Sequence, residues 1–166
     1  MSSKKLMEVF HKAYESEAKA ALRLKVYAEK AEQEGYPQIA KLFRVISFSE
    51  EIHGARSLKM LKQIGTTEEN LKASFESEQN IAGVAYGEFQ RLAADEGDVV
   101  AQTIFSHSKD VEEVHAKLYK EAMTHLMEER ETTYYVCQIC GYVSDGVLPD
   151  QCPVCSAPKE KFTKFD

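Results

Sequence analysis

A chain of 166 residues, 43% hydrophobic and 29% charged, is long enough to bury a core and too apolar for disorder to be its default. Its formal net charge of -6, with lysines interspersed among glutamates, leaves no basic footprint for nucleic acid. The opening "MSSKKLMEVF" contains no uninterrupted apolar stretch. The expectation is a cytoplasmic protein with neither a secretory signal nor a membrane span.

The first predicted helix covers residues 4 to 33, with Leu6, Phe10, Ala13, Glu17, Ala20, Leu24 and Ala31 on one face at three/four spacing. Gly35 and Pro37 break and restart the chain. The second helix follows Leu42, Ile46, Glu50, His53, Ser57 and Leu61, and ends at "GTTEEN", where Thr66 and Glu69 can form a capping box. A third helix runs along Leu71, Phe75, Glu78, Ala82, Ala85, Phe89 and Leu92. Gly97 and Asp98 punctuate it, and the fourth carries Ala101, Phe105, Ser108, Glu112, His115, Tyr119, Ala122 and Leu126.

The four helices repeat a hairpin. "EGYPQIAKLFRVISFSEEIHGARSL" overlays "EGDVVAQTIFSHSKDVEEVHAKLY" at constant offset, with Phe43 on Phe105 and "EEIH" on "EEVH". Such a repeat predicts a four-helix bundle of approximate twofold symmetry. Glu17 and Glu78 break the register by one residue, a difference assigned to the loops. The strict equivalent of Glu17 is Gln79, but Glu78 fits the apolar line of its own helix better.

Singly, an inward glutamate is most often a misphased surface residue and a core histidine merely a hydrogen-bonded one. Here Glu17, Glu50, His53, Glu78, Glu112 and His115 form a set, with Glu-x-x-His occurring twice. The i, i+3 spacing puts carboxylate and imidazole on one helix face, close enough to share a metal. Four buried carboxylates without cations would repel and lose hydration, and two divalent cations would neutralise them. One Glu from each of two helices with Glu-x-x-His from the other two is the ligand pattern of ferritin-like di-iron and di-manganese bundles. Mixed carboxylate and imidazole ligation suits iron or manganese. Glu51 and Glu113 point to other faces and are read as solvated.

All four cysteines fall in the last part of the chain, as Cys137-x-x-Cys140-Gly-Tyr and Cys152-Pro-x-Cys155. Two such knuckles bring four thiolates to one tetrahedral ion, which is a structural staple if zinc and a one-electron carrier if iron. A module this small depends on its ion to fold, around a core assigned to Tyr134, Tyr135, Tyr142, Val147 and Phe162. Residues 127–133, "MEERETT", read as a polar junction, which places the helical domain at 1–130 and the cysteine domain at 131–166.

Along nearly its whole length the chain resembles rubrerythrin, in "EGYPQIAKLF", "NLKASFESE", "CQICGY", "CPVCSAPKEKF" and the ligand set. The resemblance implies a mainly α protein: a ferritin-like four-helix bundle followed by a small rubredoxin-like metal-ribbon domain. It implies two irons held by Glu17, Glu50, His53, Glu78, Glu112 and His115. A third iron, rather than the zinc that such knuckles also accept, is implied at Cys137, Cys140, Cys152 and Cys155. The implied activity is reduction of hydrogen peroxide to water, with electrons from NAD(P)H delivered by a reductase or rubredoxin, in a homodimer. The rivals are a di-iron oxidase or ferroxidase, an iron-storage protein, and a zinc-stapled sensor. Two positions depart from the family pattern. Ile81 stands where the family has a second carboxylate that exchanges with a histidine on reduction, and Leu24 replaces a family tyrosine, whereas Tyr86 matches one. The resemblance thus implies a site without that exchange, with His53 on iron in both oxidation states.

Overall fold

A computed structural model describes residues 3–126 and 132–166. The chain is mainly α and forms two compact units, Met1–Gly65 and Thr66–Asp166.

The first unit is a helical hairpin of α1 (Lys4–Gln33) and α2 (Pro37–Met60). Ser3 caps α1 by accepting a hydrogen bond from the Leu6 N–H. Gly35 supplies the positive φ (81°) that turns the chain, and Pro37 starts α2, where a missing N–H costs nothing. Small residues make the seam. Ala28, Ala31 and Ala40 are buried together with Phe43 packed against them, and Tyr27 meets Phe43 edge to face at 5.8 Å. The buried Ser47 hydroxyl donates to the Ala21 carbonyl at 2.8 Å. This departs from the predicted face: Leu42 (53% exposed) and Ile46 are outside the seam, and Ala40, Ser47 and Gly54 occupy it. Alternating bulky residues could satisfy the period, but only small ones let two backbones approach this closely.

In the second unit, the Thr66–Glu69 capping box forms as expected, with Thr66 Oγ1 accepting from Glu69 N–H at 3.2 Å and the Glu69 carboxylate from Thr66 N–H at 2.7 Å. The predicted third helix is not continuous. α3 (Thr67–Asn80) passes into a π-helical turn (Ile81–Ala85) and then α4 (Tyr86–Asp95), with the Tyr86 N–H donating to the Ile81 carbonyl five residues back. Beyond that turn the predicted face slips: Phe89 (44%) and Leu92 (62%) are exposed, and Ala93 is buried. Asp98 caps α5 (Val99–Thr124), accepting from Ala101 N–H at 2.9 Å. Phe105 of α5 meets Phe89 at 5.5 Å between ring centroids, and Tyr86 meets Phe89 at 5.7 Å.

The same unit ends in a three-stranded antiparallel sheet of order β2-β1-β3: β1 (Tyr134–Cys137), β2 (Val143–Asp145) and β3 (Phe162–Phe165). Its core is the cysteine cluster, with Ala157 buried beside it and Tyr142, Val154 and Phe162 packed on it. Val147 (68% exposed) and Tyr134 lie outside this core, because the sulfurs fill the centre that the aromatic residues had been assigned. Most of the junction read at 127–133 lies outside the described residues.

Candidate metal centres

Each helical unit carries one cluster of three metal-ligand side chains. In the first, Glu17 on α1 meets Glu50 and His53 on α2, with ligand atoms mutually within 4.8 Å. His53 Nδ1 lies 3.1 Å from Glu50 Oε2, and its side chain remains half exposed. Buried Gly54 lies on the seam beside this cluster, where a Cβ would stand 3.6 Å from the Glu17 Cβ, in ordinary van der Waals contact. In the second, Glu78 on α3 meets Glu112 and His115 on α5 within the same limit, with His115 Nδ1 3.0 Å from Glu112 Oε2. Glu78, not Gln79, is therefore the third member. Glu51 and Glu113 are at the surface and pair with Lys25 (2.5 Å) and Lys109 (3.4 Å).

Electrostatics mark both clusters. A hydrogen bond with Glu50, then burial and the Glu50 charge, raise the Glu17 carboxyl above its ordinary value against the opposing pull of His53. Burial, then a hydrogen bond with Glu112 and its charge, push Glu78 to about 7, opposed by His115. Carboxyls sharing a proton across two helices are what a cation-binding site becomes without its cation. The donor set, two carboxylates and one imidazole in each cluster, fits iron or manganese.

The four thiols make a different centre. Cys137 Sγ lies 3.7 Å from Cys155 Sγ, and Cys140 Sγ lies 3.6 Å from Cys152 Sγ, far beyond a disulfide bond length. Four sulfurs about 2.3 Å from a central ion sit about 3.8 Å apart in a tetrahedron, so the cage has the size of an S4 metal site. Burial raises the Cys140 and Cys155 thiols. For Cys137 burial acts upward too, but hydrogen bonds from the backbone N–H groups of Cys140 and Ile139, with those of the Cys155 and Cys140 side chains, together outweigh it and lower the thiol. Gly141, at φ 84°, turns the first knuckle as only glycine does without strain.

Sequence reasoning named every member of the three clusters but missed how the second cluster meets the cysteine knuckle. His115 Nε2 lies 3.3 Å from the Gly141 carbonyl, next in sequence to Cys140, and a Cβ on Gly141 would stand 3.8 Å from the buried Val111. With Nδ1 on the carboxylate side and Nε2–H donating to a backbone carbonyl, the ring has the orientation and tautomer of a metal-ligating histidine. The sequence carries no signal of this contact, since it joins residues far apart in the chain. His115, Tyr119 and Tyr134 line an open, largely apolar cleft of ≈ 340 Å³ beside it.

Two helical clusters of carboxylate and imidazole with a four-thiolate knuckle define a carboxylate-bundle metalloprotein joined to an iron–sulfur-type ribbon. The rubrerythrin family model matches residues 8–123 and that of the rubrerythrin rubredoxin-like domain matches residues 135–163; the chain belongs to the rubrerythrin family. Rubrerythrin-2 of Clostridium acetobutylicum is 28% identical over 99% of this chain and 100% of its own length. Nigerythrin of Nitratidesulfovibrio vulgaris is 28% identical over 96% of this chain and 86% of its own. The structure of partially reduced nigerythrin matches with a TM-score of 0.60 and 26% identity, covering 99% of this chain and 88% of that one. The family's ferritin-like fold, di-iron carboxylate site and rubredoxin-like Fe(Cys)4 site come with membership, and its chemistry is that of an oxidoreductase. Among the described residues no helix is long and apolar enough to cross a membrane.

Proposed function

We propose that the protein is a non-heme di-iron peroxidase that reduces hydrogen peroxide to water. The observation that carries this reading is the hydrogen-bond approach of His115 to the Gly141 carbonyl, which brings a carboxylate-cluster ligand against the cysteine knuckle. Glu17, Glu50 and His53 hold one iron of the pair, and Glu78, Glu112 and His115 hold the other. Cys137, Cys140, Cys152 and Cys155 hold the third. The helical domain spans 1–130 and the cysteine domain 131–166. When bound, the two ferrous ions of the pair supply the two electrons that, with two protons, convert one peroxide into two waters, and the thiolate iron returns electrons singly.

The chain's own residues orient and gate this chemistry. The Gly141 carbonyl holds the His115 Nε2 proton, which leaves Nδ1 free to ligate. The adjoining cleft is several times the roughly 30 Å³ of a water molecule and offers a small oxidant a way in. Ile81 supplies no carboxylate beside Glu78, which supports a ligand set that does not exchange, with His53 retained in both oxidation states. Electrons come from NAD(P)H through a reductase or rubredoxin, and the working form is a homodimer. The test is single-turnover stopped flow of the dithionite-reduced protein against peroxide and against dioxygen. Ferric-thiolate colour returning at least tenfold faster with peroxide is expected. Faster return with dioxygen would favour an oxidase or ferroxidase, and a colourless zinc protein would remove the relay altogether.

A further inference from the structure

We infer that the π-helical turn Ile81–Ala85 is a register device that places Glu78, and not Gln79, on the metal-ligating face of its helix. The inference rests on the reading above that Glu78, Glu112 and His115 bind a metal ion.

The internal repeat makes the argument. One offset relates Phe43 to Phe105, Glu50 to Glu112 and His53 to His115, but the offset from Glu17 to Glu78 is one residue shorter. Burial shows where it changes. At the shorter offset, half-buried Phe10, Ala13, Tyr14 and Glu17 match half-buried Leu71, Ser74, Phe75 and Glu78, and buried Ala21 matches buried Ala82. At the longer offset, buried Ala31 matches buried Ala93. The offset therefore changes between Ala82 and Ala93, the interval that contains most of the π turn, where the Tyr86 N–H reaches the Ile81 carbonyl five residues back. A turn closed at i+5 takes up one residue more than an α-helical turn. The loops, to which the slip had been assigned, do not absorb it.

The side chain at stake is the ligand itself. Each residue of an α-helix advances about 100° around the axis, so the same sequence wound as continuous α-helix, without the π turn, would carry Glu78 off the face toward Glu112 and put Gln79 there. Gln79 is neutral and would leave the cluster one carboxylate short. α1, which has no π turn, reaches the same geometry with Glu17 at the other register.

Deleting Gly83 tests this in the full-length chain. It is exposed and a Cβ there would touch nothing within 4 Å, and removing a helical glycine carries no loss of helix propensity. Deletion of the exposed Val84 is the second variant should the first not fold. The readout is Mn²⁺ binding by titration with electron paramagnetic resonance, with the cysteine site filled by iron and folding checked by circular dichroism. Wild type should bind two Mn²⁺ outside the cysteines. The deletion removes the residue that the π turn takes up and gives the helix the spacing of α1, so it should keep both ions within about twofold, whereas Glu78→Gln in the deletion should weaken one of them at least tenfold and Gln79→Glu should not restore it. In the undeleted chain, Glu78→Gln with Gln79→Glu should weaken the same ion. At least tenfold weaker binding in the folded deletion, rescue of the Glu78→Gln deletion by Gln79→Glu, or unchanged binding in the undeleted double variant overturns the inference alone. A wild type that binds no Mn²⁺ outside the cysteines overturns the two-ion reading and this inference with it.

Discussion

At the scale of single residues the carboxyl pairs dominate, and they predict a pH dependence. With no ion bound, burial and Glu112 raise Glu78 from 4.5 to about 7, and Glu17 moves in the same direction through its hydrogen bond with Glu50. The folded state then keeps a proton that the unfolded chain releases near pH 4.5. Between about 4.5 and about 7 it binds more protons than the unfolded state, so stability falls as pH rises through that window and levels off above it. An ion reverses the sign, because ligating carboxylates must be deprotonated. Thermal unfolding of metal-free protein across this window should show the decline, and Glu78→Gln should flatten it. A metal-free melting temperature that rises with pH, unaffected by Glu78→Gln, would refute this account of the pair.

Helices are the next scale, and their ends matter as much as their faces. Thr66 and Glu69 satisfy each other's N–H groups at the start of α3, the helix that carries Glu78. Thr66→Ala removes the acceptor for the Glu69 N–H and should cost about 1 kcal/mol of stability, measured by urea unfolding. A loss within error would mean that solvent replaces the cap. The interior of the same helix obeys a second logic. Uninterrupted α-helix is the favoured default, yet five residues of "IAGVA" sit in a π turn, and the buried faces of the two hairpins match only when that turn is counted. Phe89 and Leu92 were assigned inward by extending the α-helical period straight through it; with the extra residue taken up, Ala93 reaches the interior instead.

For the whole molecule, the cysteine knuckle is both a domain core and a redox element. Cys137 and Cys152 are almost wholly buried, and the small sheet has little apolar area besides the sulfur cage. Cys152→Ser should therefore abolish the ferric-thiolate absorption and lower iron content by about one ion per chain from the ligand count, while leaving Mn²⁺ binding by the helical clusters in place. Loss of Mn²⁺ binding in the same variant would mean that the knuckle also holds the second cluster together through His115 and Gly141.

What the amino-acid sequence determined by itself was whatever depends on short, regular spacing. Glu-x-x-His places two ligands one turn apart on any α-helix, C-x-x-C closes a knuckle with a following glycine, and Thr66 with Glu69 writes a capping box. These follow from the rise and rotation per residue and from local hydrogen bonding, so the members of the candidate sites, the caps and turns between helices and the family could be read from the chain. Tertiary structure decided what depends on how closely surfaces approach. Backbone proximity selected Ala28, Ala31, Ala40 and Ser47 for the first seam over Leu42 and Ile46. The sulfur cage displaced Val147 and Tyr134 from the core of the ribbon. The π turn left only a one-residue slip in the repeat, whose cause could not be placed until the buried face on either side was known. The contact of His115 with Gly141 joins chain segments that no periodicity links, and only the fold brings them together.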